Sequence, residues 1–460
     1  MKRIVIYILS INFLISCKES AQKQEKVAEN TQKTTYELPE FTNAVAEKAI
    51  IYEANIRQYS KEGSFNAFTK DIPELKKLGV DILWLMPVYP ISTTKSKGSL
   101  GSYYAVSDYK KVNPEFGTEE DLKELIRKAH EEGIYVILDW VANHTGWDHH
   151  WIKDHPEYYT KNIKGEIIHT EDTDWTDVAD LNYDNKEMRQ EMREAMKFWV
   201  KEFNIDGFRC DVAGMVPTDF WNKTSKELND IKPVFLLAEG WKPELLDKAF
   251  DAGYSWDTHH VMNDIAKGEK TVEAWDERMK KMDSMYQKDD ILMNFTTNHD
   301  ENSWNGTVRE RMGEAAELFA VLSYIAPGMP LIYSGQEYDM DKRLLFFEKD
   351  TIPKKKGKFF PLYEQLGVLK ETNAALHSGQ NAGSYKKLTS SDPESILAFE
   401  RQKNGAKVLF IGNLSKKPVT FTLDHTGNYG DFFSKEAVEL SGKNEYTYQP
   451  WQYKVLIVQN

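Results

Sequence analysis

Arg209 and Asp211 lie two residues apart in the stretch Ile-Asp-Gly-Phe-Arg-Cys-Asp-Val, residues 205–212. Residues two apart in a strand point to the same face, so a strand ending here projects a guanidinium and a carboxylate together. An opposite charge within a few ångströms favours an ionised aspartate, and an ionised, oriented carboxylate is what a nucleophile needs. The triplet alone fits a structural ion pair equally well, so the remaining carboxylates decide. Glu239 follows directly on the apolar run Phe235-Leu236-Leu237-Ala238, and Asp300 closes Thr297-Asn298-His299-Asp300. A further stretch, Asp139-Trp140-Val141-Ala142-Asn143-His144, supplies another aspartate and a second histidine. Cys210, between Arg209 and Asp211, is expected to face away from both as inert packing.

These residues need a frame that brings them to one place. The chain has 460 residues, 41% of them hydrophobic, which suggests two or three domains with one large. From residue 49 onward, short β-rich runs alternate with helix-length amphipathic segments. Runs at 50–56, 80–86, 134–140, 205–210, 234–238, 291–296 and 330–333 have strand character, with a weaker one near 254–256. Helical spacing marks 65–78, 118–132, 185–203 and 362–376; in 185–203 the stripe of Met188, Met192, Met196 and Trp199 is a core face. About eight β-α units predict a closed (β/α)8 TIM barrel over 49–379. A long polar stretch after the third strand, 145–182, reads as a small inserted domain. Beyond residue 380 the helical period vanishes, and runs at 396–400, 407–414, 419–423 and 453–458 predict a C-terminal all-β sandwich domain over 380–460.

Barrel active sites form where strands end and βα-loops begin. The chemistry-bearing stretches sit at the ends of strands three, four, five and seven, so carboxylates, an arginine and two histidines converge on one rim. In order and spacing they resemble the four short motifs of the α-amylase family of glycoside hydrolases. The resemblance implies Asp211 as nucleophile, Glu239 as acid/base and Asp300 as transition-state stabiliser. It implies substrate contacts from Arg209, His144 and His299, a sugar-stacking Tyr104, and a structural Asp139 that supports the arginine. Glycoside cleavage with retention needs two carboxyl groups about 5 Å apart, one ionised and one protonated. Asp211 beside Arg209 suits the first role. Glu239, facing Asp211 and Asp300, is expected to be raised and so to suit the second.

The resemblance implies retaining, endo-acting hydrolysis of α-1,4-glucosidic bonds in starch- or glycogen-type glucans and maltooligosaccharides, with α-1,6 bonds left open. Gly207-Phe-Arg-Cys-Asp-Val-Ala213 with Phe220-Trp221 is closer to neopullulanases and cyclomaltodextrinases, whereas Val178-Ala-Asp180-Leu-Asn182 is closer to amylases. Transglycosylation uses the same machinery and is the alternative. An inactive glucan-binding protein is a second, against which all three carboxylates are present. Trp241 is a further candidate sugar contact. No cofactor is required. Asn143 and Asp180 match two ligands of the calcium site in many amylases, but Gly214-Met215 replaces the Lys-His pair that follows the nucleophile there, and two oxygen ligands fall short of the six to eight calcium takes.

Seventy-two acidic against 59 basic residues give a net charge of −13, which argues against nucleic acid as a partner. Residues 1–17 carry Lys2 and Arg3, a short apolar run and Leu14-Ile15-Ser16-Cys17. This layout fits a secretory signal and resembles a bacterial lipobox, implying lipid on Cys17 and anchorage to a bacterial membrane, the outer one by expectation. Residues 18–48 are polar and read as a flexible tether. A monomer is expected.

Overall fold

The computed structural model describes residues 38–442 and 444–458. The signal segment, Cys17 and most of the expected tether lie outside the described residues. Eight parallel strands close into a barrel: β1 (Ile51–Ala54), β2 (Ile82–Leu85), β3 (Tyr135–Trp140), β4 (Gly207–Cys210), β5 (Phe235–Ala238), β6 (Ala252–Tyr254), β7 (Ile291–Asn294) and β8 (Met329–Tyr333). Each is buried along its length, as strands covered on both faces must be.

Alternation along the strands sorts the core into two shells. Ile51, Ile82, Ile137, Leu237 and Met293 fill the barrel interior. Tyr52, Leu83, Val136, Phe208 and Leu236 pack outward with the helices. The same parity carries Glu53, Asp139, Arg209 and Asp211 to the interior side at the strand ends. Register puts Asp139 opposite Arg209 and Arg209 opposite Leu237.

Gly207 is needed at the entry to β4. Its φ is +148°, and a Cβ there would stand 1.8 Å from the Phe235 carbonyl oxygen. The helix Glu119–Glu131 opens with a capping box between Thr118 and Asp121. The helix Lys186–Phe203 buries Met188, Met192, Met196 and Trp199.

Three expectations need correction. The helix expected over 65–78 is two helices, Phe65–Thr69 and Ile72–Lys77, because Pro73 starts a new first turn. The weak strand near 254–256 is β6, two residues earlier, and Trp256 already begins a helix. The expected tether ends too late. Residues Asn43–Lys48 form a helix, and Phe41, only 6% exposed, packs under the barrel. Its ring centroid lies 5.1 Å from Tyr135 and 5.2 Å from Phe235.

After β3 the chain leaves the barrel. His144–Gly146 pairs antiparallel with Val178–Asp180, closing the excursion as a hairpin base. The C-terminal part holds two antiparallel sheets. One runs β9 (Ser384–Lys387), β10 (Ile396–Lys403), β11 (Ala406–Asn413), then β16 (Tyr453–Ile457), β13 (Gly427–Asp431) and β14 (Ala437–Leu440). The other pairs β12 (Val419–Thr422) with β15 (Glu445–Tyr448). Leu388, Ile396, Leu409, Phe421 and Leu456 form their shared core.

Candidate active site

Arg209 is the hub of the rim. It is fully buried. Its Nη1 donates to Asp139 Oδ1 and to Asp211 Oδ1, both at 2.9 Å. Its Nη2 stands 2.9 Å from Glu239 Oε1, and its Nε donates to the Tyr254 hydroxyl at 3.1 Å. Four strand ends, of β3, β4, β5 and β6, are thereby tied to one planar cation. Asp139 is held from its other side by Trp84 Nε1 at 3.1 Å and the Tyr104 hydroxyl at 2.9 Å.

The turn after β4 bends sharply. Val212 has φ 35° and ψ 45°, a left-handed conformation that a β-branched residue rarely takes and that marks stored strain. The bend aims the Val212 N–H at Glu239 Oε2, 2.7 Å away. Two adjacent loops thus fix the Glu239 carboxylate from both of its oxygens.

Opposite stands a second cluster. His299 Nδ1 bonds Glu53 in a short contact, and its Nε2 lies 2.8 Å from the Tyr104 hydroxyl and 3.3 Å from Asp300 Oδ2. Burial works against a charge on His299, but Asp300 and Glu53 outweigh it and raise the imidazole to about 9. His299 is therefore an imidazolium at neutral pH, donating from both nitrogens. His144 is the contrary case: burial without an anion lowers it to about 4, so it is neutral.

The charge count of the rim differs from the sequence expectation. Arg209 does not serve Asp211 alone; it is shared with Asp139 and Glu239. Burial and the neighbouring Glu239 push Asp211 well above the usual carboxylate range, against the pull of Arg209. Asp300, with a third of its side chain open, is also raised, by burial and by Glu239, against the pull of His299. Two cations face five carboxyl groups, counting Glu53, and burial raises Asp139 and Glu53 as well.

Above this rim opens a cavity of about 660 Å³, within the range of small-molecule sites. Tyr104, His144, Asp211, Glu239, His299 and Asp300 line it, so those sequence-selected residues meet in one place, with Arg209 and Asp139 beneath. Trp241 does not join them. It is 57% exposed and stands outside the cavity lining. Asn143 and Asp180 lie near each other but are linked through the Thr170 hydroxyl, which accepts from Asn143 at 3.0 Å and donates to Asp180 at 2.9 Å. Among the described residues no group of three or more His, Cys, Asp or Glu is placed to hold a metal ion. Burial pushes the Cys210 thiol far up, in keeping with packing.

Several residues of the site were not singled out from sequence. Glu53, buried beneath the cavity, sits inside an apolar run. Trp175 lies 5.5 Å from His144, ring to ring. A short π-helix, Glu301–Asn305, follows Asp300 and carries Trp304 to the cavity, where it meets Phe346 at 5.1 Å and Phe347 at 5.7 Å. Such π-turns gather at functional sites, but nothing in the residue pattern announces one.

Comparison with known proteins points to one family. The family described as alpha amylase, catalytic domain matches residues 28–176 and 167–393. Alpha-amylase 3 of Dictyoglomus thermophilum is 28% identical over 346 residues, covering 66% of this chain and 66% of its own length. A cyclomaltodextrinase of Thermoanaerobacter pseudethanolicus is 26% identical over 413 residues, covering 83% of this chain and 68% of its own. The chain thus spans about two thirds of the length of these curated relatives. Among solved structures, a noncanonic maltogenic α-amylase from Thermotoga neapolitana superposes with a TM-score of 0.83 at 29% identity, covering 91% of this chain and 99% of that one.

Proposed function

The chain belongs to the α-amylase family, and we propose that it cleaves α-1,4-glucosidic bonds of α-glucans with retention, through a covalent glucosyl-enzyme. The observation that carries this reading is Arg209 bound to Asp211 on one Nη and to Glu239 on the other. Two carboxyl groups on one guanidinium favour the close pair of a retaining enzyme, about 5–5.5 Å, over the wider pair of about 6.5–9.5 Å that leaves room for a water.

In this reading Asp211, oriented by Arg209, attacks the anomeric carbon. Glu239 gives its proton to the departing glycosidic oxygen and later takes one from the incoming water. Asp300 faces the oxocarbenium-like charge that develops at the sugar. The His299 imidazolium and the neutral His144 donate to sugar hydroxyls. The Tyr104 ring, stacked on His299 at 5.4 Å, forms the platform on which the reacting sugar lies.

Glu239→Gln is expected to lower kcat on maltooligosaccharides by about a thousandfold or more, and Asp211→Asn to abolish the glucosyl intermediate. Both should leave binding, read by calorimetry, nearly intact. Wild-type turnover in either variant would overturn the assignment. Glucosyl transfer to an acceptor sugar uses the same carboxylates and is the alternative reading. Products formed with and without added glucose separate the two. Where along a glucan the cut falls is set by the cavity walls rather than by the carboxylates.

At the other end of the chain, Cys17 is the proposed site of lipid attachment, anchoring a monomer to the outer membrane. The support is the lipobox-like Leu14-Ile15-Ser16-Cys17. Labelled palmitate should enter the wild type and miss Cys17→Ser.

A further inference from the structure

The mouth of the cavity is walled on one side by a strap between two loops. The loop after β2 reaches the loop after β8, and the two are hydrogen-bonded directly. Leu100 N donates to the Phe347 carbonyl at 3.1 Å and Ser99 N to Glu348 Oε1 at 2.9 Å, with a short second contact from the Ser99 hydroxyl to Glu348. Gly98 permits the approach: a Cβ on it would lie 2.3 Å from Phe347 Cβ, and its φ is +65°.

The strap is built in from below. Directly after β1, the helix Ile56–Tyr59 holds both of its halves. Arg57, fully buried, donates to the Gly101 carbonyl at 3.1 Å and the Leu100 carbonyl at 3.2 Å. Gln58 donates to the carbonyls of Leu345 and Glu348. The far end is fastened too, since Lys97 donates to the Asp174 carbonyl at 2.7 Å and pairs with Asp177 at 3.2 Å. One wall therefore runs without a break from the excursion, through the β2 loop, to the β8 loop.

Its place in the barrel decides its effect. The strap joins the loops after β2 and β8, above β1, which lies between them. Asp211 and Glu239 stand on the opposite arc, at the ends of β4 and β5. Glu239 protonates the leaving group, so the leaving part of the glucan lies on its side. The sugar that becomes attached to Asp211 lies toward Tyr104, whose ring is parallel to Phe346 at 6.3 Å. The wall, which gives Lys97 and Phe347 to the cavity lining, thus stands across the path of the donor chain.

We infer that this enzyme works from the non-reducing ends of α-glucans and releases short products, because the strap of Lys97–Leu100 and Phe347–Glu348 blocks longer donor chains. The inference deepens the proposed function and rests on it. Attack at chain ends takes the place of the internal attack implied by the family resemblance.

The test compares two maltoheptaosides, one with a free non-reducing end and one with that end blocked by a 4,6-O-ethylidene group. The wild type is expected to cut the blocked substrate about a hundredfold more slowly, the order a shaped pocket can enforce. On free maltoheptaose, glucose or maltose should appear before any longer fragment. In Glu348→Ala, which frees Ser99, the blocked substrate should gain about tenfold relative to the free one. Equal wild-type rates on both substrates, with internal fragments first, overturn the strap and leave α-glucan cleavage standing. An unchanged ratio in a folded Glu348→Ala overturns the part given to Glu348. No cleavage of either substrate overturns the proposed function and the inference with it.

Discussion

Glu53 shows how much of the site escapes a reading by motif. It lies in Ile50-Ile51-Tyr52-Glu53-Ala54, an apolar run that reads as plain strand, and its partner His299 is 246 positions away. The three rim carboxylates were legible because each stands at or just beyond the end of a strand-like run, within a short stretch that resembles a family motif. Glu53 was not, because only barrel closure brings it under His299. Its carboxyl is raised by burial and lowered by His299 and Arg209. Asp300, Glu53, Tyr104 and Arg209 all face the imidazole, and the two anions raise its pKa to about 9. If the imidazolium holds sugar hydroxyls, kcat/KM should fall as pH rises through about 9. Glu53→Gln removes one of the two anions, so that alkaline limb should move toward neutral pH. A limb that stays in place would show that Asp300 alone holds the charge. The stability sign follows from the same shift. His299 is raised in the folded state from 6.5, so its contribution is full below about pH 6.5 and is lost as pH climbs through about 9.

The alternation of strand and helix was legible because parallel strands buried on both faces are continuous apolar runs. Breaks in that alternation depended on single residues with weak local signals. Pro73 split one helix, and β6 has only Ala252, Gly253 and Tyr254 to mark it. Its Tyr254 nevertheless supplies a partner to Arg209. Leu397 and Phe399 of β10 share the core of the barrel helices, but the polar tie between them was not legible, since it rests on one buried side chain. Arg401, fully buried, donates to the carbonyls of Ile325, His377, Gly383 and Ser384. Ile325 ends a barrel helix, so one cation seals a helix terminus, the linker between the last barrel helix and β9, and β9 itself. Arg401→Met fills the volume but leaves these carbonyls without a donor. With each buried orphan worth about 1–3 kcal/mol, the variant should lose about 3 kcal/mol or more in urea unfolding, with kcat unchanged in whatever remains folded. A loss below about 1 kcal/mol would mean that water replaces the guanidinium.

The barrel as a whole separates its two ends. Conserving charge and strain at the C-terminal rim is compatible with a fold only if the opposite end is closed and dry. Phe41 provides that closure, together with Ala46 and Ala49. Tyr135 anchors the entering chain by donating its hydroxyl to the Pro39 carbonyl at 3.1 Å. The helix Asn43–Lys48 is fixed in turn by Glu47, whose carboxylate accepts from Asn381 N and Nδ2 at 3.0 and 3.1 Å. Composition hid this segment. Leu38, Phe41, Val45 and Ala46 are spread among polar residues, and their burial partners are the lower ends of strands that follow in sequence. Phe41→Ala should open a void beneath Tyr135 and Phe235 and cost about 3–5 kcal/mol, the usual loss for a buried phenylalanine. The catalytic rim lies at the other end of the strands, so kcat and KM measured well below the melting temperature should stay at wild-type values. Equal stability of the variant would mean that the barrel floor closes without the plug. A drop in kcat at full folding would mean that strain at the floor reaches Arg209 through the strands.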